Sequence, residues 1–201
     1  SSNESFIAPM AKVLAVDDNV TNIKVIQGIL SMYQIRVDTA TSGQECLEKL
    51  TKNHYHLILM DQMMPIMDGI ETTHKIREFQ DKEIRNIPVI ALTANAIRGA
   101  REMFLENGFQ DYISKPMDIN VLEKVLRKYL PTEFIHLVDK KNPKISIGKP
   151  IVIPQVDVDA GIENYGNSRQ RYIQILRYIY DDGEEQIVRM KKQVREKRYD
   201  D

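Results

Sequence analysis

Polar side chains that could carry out chemistry occur at four separated points of the sequence, each next to a short apolar run. They are Asp17-Asp18, Asp61, Thr93 and Lys115. Carboxylates gathered in one place repel one another and resist full ionisation, and a hard divalent cation relieves that repulsion. Mg²⁺ prefers oxygen ligands, with few protein carboxylates and several waters. The set therefore predicts a magnesium site beside a carboxylate that can act as a nucleophile toward phosphorus.

The hydroxyl and the amine of this set suit a phosphoryl group. The Lys115 ammonium is a mobile point charge that fits a phosphoryl oxygen, and the Thr93 hydroxyl can donate to another. Ala94 is small and leaves room for the group. A metal ion and Lys115 would together offset the charge that develops during phosphoryl transfer.

The apolar runs predict the strands that position these groups. Residues 13–16, 57–60 and 89–92 are continuously apolar, which is typical of parallel strands covered on both faces. Residues 35–39 alternate and are expected nearer a sheet edge, and residues 112–114 predict a short fifth strand.

Helical spacing of apolar residues fills the segments between the strands. The predicted faces contain Ile23, Ile26, Leu30 and Tyr33; Cys46, Leu47 and Leu50; and Leu122, Val125, Leu126 and Tyr129. Capping boxes pair Ser42 with Glu45 and Asp68 with Glu71, and Gly108 is a predicted helix stop.

Five β-α units in sequence predict an α/β fold with a doubly wound parallel sheet in strand order 2-1-3-4-5. Ligands of such sheets bind at the carboxyl ends of the strands. The four polar points should therefore meet at one sheet edge.

The predicted domain organisation has four parts. Residues 1–10 form an N-terminal extension, and residues 11–130 form the α/β domain. Residues 131–154 contain four prolines and predict a linker. Residues 155–201 return to helical spacing, with too few helices to bury a core well unaided.

Composition excludes several function classes. The net charge of -1 gives no strong field toward nucleic acid or an acidic membrane, so neither is an expected partner. No apolar run approaches the ~20 residues that span a bilayer. Cys46 is the only cysteine, which is consistent with a reducing compartment and an expected cytoplasmic location.

Four motifs, in this order and spacing, resemble the receiver domain of response regulators. They are VLAVDDNVTN, LILMDQMMPIMDG, IPVIALTANA and DYISKPMD, and they extend over residues 11–130. The resemblance implies that Asp61 is phosphorylated. It also implies that Asp18 binds Mg²⁺ directly, that Asp17 binds it through water, and that the backbone carbonyl of Met63 is a third ligand.

The resemblance further assigns a switch. Thr93 matches the switch hydroxyl, Lys115 the phosphoryl-binding lysine, and Tyr112 the aromatic residue that changes rotamer. The implied partner is a phosphohistidine donor, either a histidine kinase or a phosphotransfer domain. A homodimer through the face of the fourth helix, fifth strand and fifth helix is also implied.

The residues of two motifs, DDNVTN and ALTANA, resemble those of receivers attached to hybrid histidine kinases. Residues 155–199 resemble the first helices of a histidine phosphotransfer domain, although the tail contains no histidine. Motifs of a kinase ATP-binding domain are absent from the sequence. The chain is therefore predicted to be a phosphoacceptor with slow self-dephosphorylation rather than a kinase.

Three alternatives stay open at this stage. A haloacid-dehalogenase-like phosphatase also uses an aspartyl nucleophile and Mg²⁺, but its D-x-D pattern would need an aspartate where Met63 stands. The tail could be a DNA-binding output, although it lacks a compact helix-turn-helix. A receiver that serves only as a docking module would not need the complete acidic set.

Overall fold

The apolar runs form the strands of a five-stranded parallel sheet in a computed structural model, which describes residues 4–95 and 99–139. Across the sheet the strands run β3 (Arg36–Ala40), β2 (Lys12–Val16), β4 (Leu57–Asp61), β5 (Val89–Thr93) and β6 (Asp111–Ser114). Without the extra N-terminal strand described below, this is the predicted order 2-1-3-4-5. The alternating strand β3 lies at an edge, as expected.

Helices cover both faces of the sheet. They are α1 (Val20–Ser31), α2 (Gly43–Leu50), α3 (Gly69–Arg77), the short α4 (Lys82–Arg85), α5 (Ala100–Glu106) and α6 (Ile119–Tyr129). Helices α1 and α6 pack on one face and α2, α3 and α5 on the other. Side chains alternate along β2, with Val13 and Ala15 facing the first layer and Leu14 and Val16 the second, so both faces are buried.

The predicted helix ends are largely correct. Ser42 accepts a hydrogen bond from the Glu45 N–H at 3.1 Å, and Gly108 ends α5 with a φ of 86°. In the capping box of Ser42 and Glu45, the Glu45 side chain was expected to accept a hydrogen bond from the Ser42 N–H, but it has a different partner. The Glu45 carboxylate accepts from the Thr41 N–H at 2.7 Å, because the side chain reaches back past Ser42.

Two further features differ from the sequence predictions. Helix α1 ends at Ser31, so Tyr33 lies beyond it and is buried against the ring of Phe6, with centroids 4.8 Å apart. Phe6 belongs to β1 (Glu4–Ile7), which pairs antiparallel with β7 (His136–Asp139). This two-stranded sheet joins residues of the predicted extension and linker, and no sequence pattern predicted the pairing.

Several predictions lie outside the described residues. The helical region 155–201 and most of the predicted linker, residues 140–154, are among them. Within the part of the chain that the structure describes, no helix is both long and apolar enough to cross a membrane.

Candidate active site

The predicted polar residues meet at the carboxyl end of the sheet. Asp17 directly follows β2, Asp61 and Thr93 are the last residues of β4 and β5, and Lys115 directly follows β6. Parallel strands start at one end of the sheet and finish at the other, so residues far apart in sequence become neighbours. Asp17 and Thr93 are buried, Asp61 is 6% exposed, and Asp18 is exposed.

The Lys115 ammonium bridges two of the carboxylates. Its Nζ lies 2.8 Å from Asp17 Oδ2 and 2.8 Å from Asp61 Oδ1. Oxygens of Asp17, Asp18 and Asp61 all lie within 4.8 Å of one another. The cluster therefore holds three carboxylates and one amine in a single small volume.

Two asparagines that the sequence analysis did not single out fix Asp17. The Asn19 N–H donates to Asp17 Oδ1 at 2.8 Å, and Asn22 Nδ2 donates to Oδ1 at 3.1 Å and Oδ2 at 3.0 Å. Asn19 also caps α1, since its side chain accepts from the Thr21 N–H at 2.9 Å. The sequence feature that could have indicated both residues is that two asparagines follow Asp17-Asp18 within about one helical turn.

The Thr93 hydroxyl has two partners of its own. It donates to Gln62 Oε1 at 2.6 Å and accepts from the Asn95 N–H at 3.0 Å. Gln62 directly follows Asp61 in the chain, and the sequence analysis gave it no role. Only its position next to the predicted nucleophile could have indicated one.

The loop after β4 turns closely over the strand. The Gly69 N–H donates to the Gln62 carbonyl at 2.9 Å. A Cβ on Gly69 would lie 2.2 Å from the Asp61 carbonyl oxygen, so only glycine fits there. Met63 lies in this loop with its side chain 73% exposed.

Tyr112 packs against the covering helix α5. It sits on β6 opposite Ala91 and stacks on Phe104 of α5, with ring centroids 5.7 Å apart. It is only partly buried in the layer formed by α2, α3 and α5. Its predicted change of rotamer stays a prediction.

The charges in the cluster perturb one another. Burial raises the pKa of Asp61, the charge of Asp17 raises it further, and the hydrogen bond from Lys115 opposes both. Burial alone would lower the pKa of Lys115, but its hydrogen bonds to Asp17 and Asp61 raise it overall. The ammonium is therefore held in its charged form, and the carboxylates retain excess negative charge.

The donor set fits a hard divalent cation. Three carboxylates against one ammonium leave a net charge of about -2 when all are ionised. Among the described residues, the group of possible metal ligands contains carboxylates only, without sulfur or imidazole. Oxygen donors of this kind suit Mg²⁺ rather than a soft transition metal.

Comparison with known proteins identifies the class. Residues 13–127 match the response regulator receiver domain, which is more than half of the chain. The chain therefore belongs to the response regulator receiver domain family, whose members act in two-component phosphorelay signalling. The match does not favour the phosphatase and DNA-binding alternatives. It does not test the docking-module alternative, because a docking module of this kind would also be a receiver domain.

The relatives include hybrid kinases and a single-receiver protein. The chain is 40% identical over 120 residues to hybrid signal transduction histidine kinase I of Dictyostelium discoideum, and the match covers 57% of this chain but 7% of that protein. It is 35% identical over 118 residues to the polar-differentiation response regulator DivK of Brucella ovis, which covers 59% of this chain and 94% of DivK. The chain thus spans only a small part of the hybrid kinases it matches.

Two solved structures that share the fold contain a bound metal ion or a partner protein. The receiver domain of sensor histidine kinase PA1611 from Pseudomonas aeruginosa has a magnesium ion coordinated in its active site cleft. It is 35% identical with a TM-score of 0.54, over 59% of this chain and 96% of that one. The receiver domain of Ssk1 from Saccharomyces cerevisiae, solved with the histidine phosphotransfer protein Ypd1, is 29% identical with a TM-score of 0.54, over 59% and 88%.

Proposed function

We propose that Asp61 accepts a phosphoryl group from a phosphohistidine of a partner protein, with Mg²⁺ held by Asp17, Asp18, Asp61 and the Met63 carbonyl. The observation that carries this proposal is the Lys115 ammonium, 2.8 Å from both Asp17 and Asp61 at the carboxyl end of the sheet. A structural lysine would need only one carboxylate. A lysine shared by two can leave one of them for a phosphoryl oxygen.

In the transfer, an oxygen of Asp61 attacks phosphorus, an O–P bond forms, and the P–N bond of the donor histidine breaks with its electron pair left on the imidazole. Lys115 pairs with a phosphoryl oxygen, and Thr93 donates to another. The metal ion, when bound, offsets the negative charge that gathers on the phosphoryl oxygens. Asn19 and Asn22 keep Asp17 in place while Lys115 changes partners.

The surface around the site suits a protein donor. Val20, Met63 and Ile66 are 57%, 73% and 105% exposed, and each follows Asp17-Asp18 or Asp61 within five residues. Exposed apolar side chains beside an acidic pocket favour docking of a protein rather than a free small ion. The similarity to the Ssk1 receiver, which was solved with a phosphotransfer protein, supports the same kind of donor.

The experiment is phosphorylation of the chain by acetyl phosphate with Mg²⁺, followed by intact mass spectrometry and hydroxylamine treatment. We expect one hydroxylamine-sensitive phosphoryl group in the wild type and none in Asp61→Asn. The matched control is Asp38→Asn, because Asp38 also pairs with a lysine, Lys12, at 2.9 Å but lies outside the cluster. Phosphorylation that persists in Asp61→Asn would refute the assignment.

The remaining sequence predictions are proposals of the same kind. The parent protein is a hybrid histidine kinase, which is supported by the hybrid kinases among the relatives. Residues 155–201 begin a phosphotransfer-like domain, supported by sequence resemblance alone. Homodimerisation through α5, β6 and α6 is supported by exposed Leu105 and Val121 on two of these elements. On activation, Tyr112 follows Thr93 and remodels this face.

A further inference from the structure

We propose that Gln62 is a positioning residue that engages the proton of the Thr93 hydroxyl and must release it before Thr93 can donate to a phosphoryl oxygen on Asp61. The inference rests on the proposed function of Asp61. It adds a residue that sets how readily the phosphorylated state forms in this particular chain.

The argument begins with the hydrogen-bonding capacity of the hydroxyl. Thr93 Oγ1 lies 2.6 Å from Gln62 Oε1, and it accepts from the Asn95 N–H at 3.0 Å. A hydroxyl has a single proton to donate. A Thr93 that donates to Gln62 therefore cannot donate to a phosphoryl oxygen at the same time.

The backbone on both sides of this bond is fixed. The Gln62 N–H donates to the Leu92 carbonyl at 2.9 Å, and the Gln62 carbonyl accepts from the Gly69 N–H at 2.9 Å. The Thr93 carbonyl accepts from the Lys115 N–H at 2.7 Å. The exchange of partners is therefore confined to the two side chains and needs no rupture of the sheet.

Burial sets the direction of the exchange. Thr93 is 1% exposed, so its hydroxyl needs an acceptor within the protein, whereas the half-buried Gln62 amide can return to water. A phosphoryl oxygen is a charged acceptor and outcompetes a neutral amide. Gln62 thus opposes the phosphorylated state by the strength of one neutral hydrogen bond, which corresponds to about 2- to 10-fold in affinity.

The test is a titration of the 201-residue chain with beryllofluoride at a saturating concentration of Mg²⁺. Binding is monitored through the backbone amide signal of Asn95 in NMR spectra. Gln62→Met keeps the length of the side chain and removes the acceptor. We expect it to bind beryllofluoride about 2- to 10-fold more tightly. Gln62→Asn withdraws the acceptor by one methylene and should change affinity in the same direction.

Three controls separate this role from a general effect. Gln44→Met changes an exposed glutamine on α2 and should leave beryllofluoride affinity unchanged. In a Thr93→Val background, Gln62→Met should have no effect, because the hydroxyl through which it acts is gone. Magnesium affinity, measured alone by calorimetry, should not change in Gln62→Met.

The possible failures are distinct. If both Gln62 variants bind beryllofluoride as the wild type does, the role of Gln62 is refuted while that of Asp61 stands. Weaker binding by Gln62→Met would also refute it, because the amide would then support the donating hydroxyl. A wild-type chain that binds no beryllofluoride would overturn the proposed function and this inference together.

Discussion

The two ends of the central sheet hold their polar groups in different ways. At the carboxyl end, Lys115 is shared between Asp17 and Asp61, and the Thr93 hydroxyl is bound by a half-buried amide. These are side-chain partners that can be exchanged. At the amino end, the half-buried side chains of Arg77 and His56 bind mainly backbone atoms.

Arg77 illustrates the amino end. Its guanidinium donates to the carbonyls of Gly108, Arg85 and Ile87 at 2.7 to 2.9 Å, and to Gln110 Oε1 at 2.8 Å. These acceptors lie just before β5 and β6. A single side chain therefore ties together the segments that lead into these two strands.

Aromatic side chains make further contacts at the same end of the sheet. Phe6 of β1 is 1% exposed, and the guanidinium of Arg127 lies 5.2 Å from its ring centroid. His56, just before β4, accepts from the Lys12 N–H at 2.9 Å and meets the ring of Phe134 edge-on at 5.0 Å. We therefore expect the amino end to contribute more to stability than the carboxyl end, where burial and the neighbouring Asp17 disfavour the charge of Asp61.

The largest expected effect comes from Phe6→Ala. Removal of this buried ring should lower the free energy of unfolding by about 3–5 kcal/mol, measured by urea denaturation. Leu137→Ala on the partner strand β7 is the control, because Leu137 is 58% exposed and should cost at most about 0.5 kcal/mol. Equal effects of the two variants would mean that β1 is not an integral part of the receiver fold.

Asp61→Asn should change the free energy of unfolding in the opposite direction and stabilise the fold. Burial and the neighbouring Asp17 raise the pKa of Asp61, so its ionised form is disfavoured in the folded state. The stability associated with neutral Asp61 is complete below the unfolded pKa and is lost as pH rises through the folded pKa. At pH 7 without divalent cations, Asp61→Asn should therefore raise the free energy of unfolding by about 0.5–2 kcal/mol.

Thermal and urea denaturation measure this change. Asp18→Asn is the matched control, because Asp18 is exposed and its charge should cost little. A loss of stability in Asp61→Asn would show that the ion pair with Lys115 contributes more than burial costs, and the contrast between the two ends would then fail.

The smallest expected effect is a pH dependence at the amino end. Burial lowers the pKa of His56 below its usual 6.5, and the neutral Nδ1 accepts from Lys12. Because the folded pKa is lowered, stability from His56 is present above pH ~6.5 and is lost as pH falls toward the folded pKa. His56→Asn should flatten this part of the stability profile, as measured by urea denaturation at a series of pH values.

Much of the fold and most of the site could be predicted from local sequence. Continuous apolar runs indicated β2, β4 and β5, and the alternation over residues 35–39 indicated an edge strand. The positions of Asp17, Asp61 and Lys115 at strand ends were enough to predict that they meet. These inferences succeed because they depend on residue type, period and a topology with few allowed forms.

What could not be predicted depends on direction and distance in three dimensions. Asn22 and Gln62 are ordinary polar residues in sequence, and only the structure pairs them with Asp17 and Thr93. The antiparallel pairing of β1 with β7 joins segments more than 120 residues apart, and neither segment has a pattern that specifies its partner.

The sequence by itself determined which residue types stand at the ends of the strands. The pattern of apolar residues defines each strand, and the first polar residue after the run marks where the strand ends. Only the tertiary structure decided which partner each polar group takes. A hydrogen bond depends on angle and on a few tenths of an ångström, and neither is encoded in residue spacing.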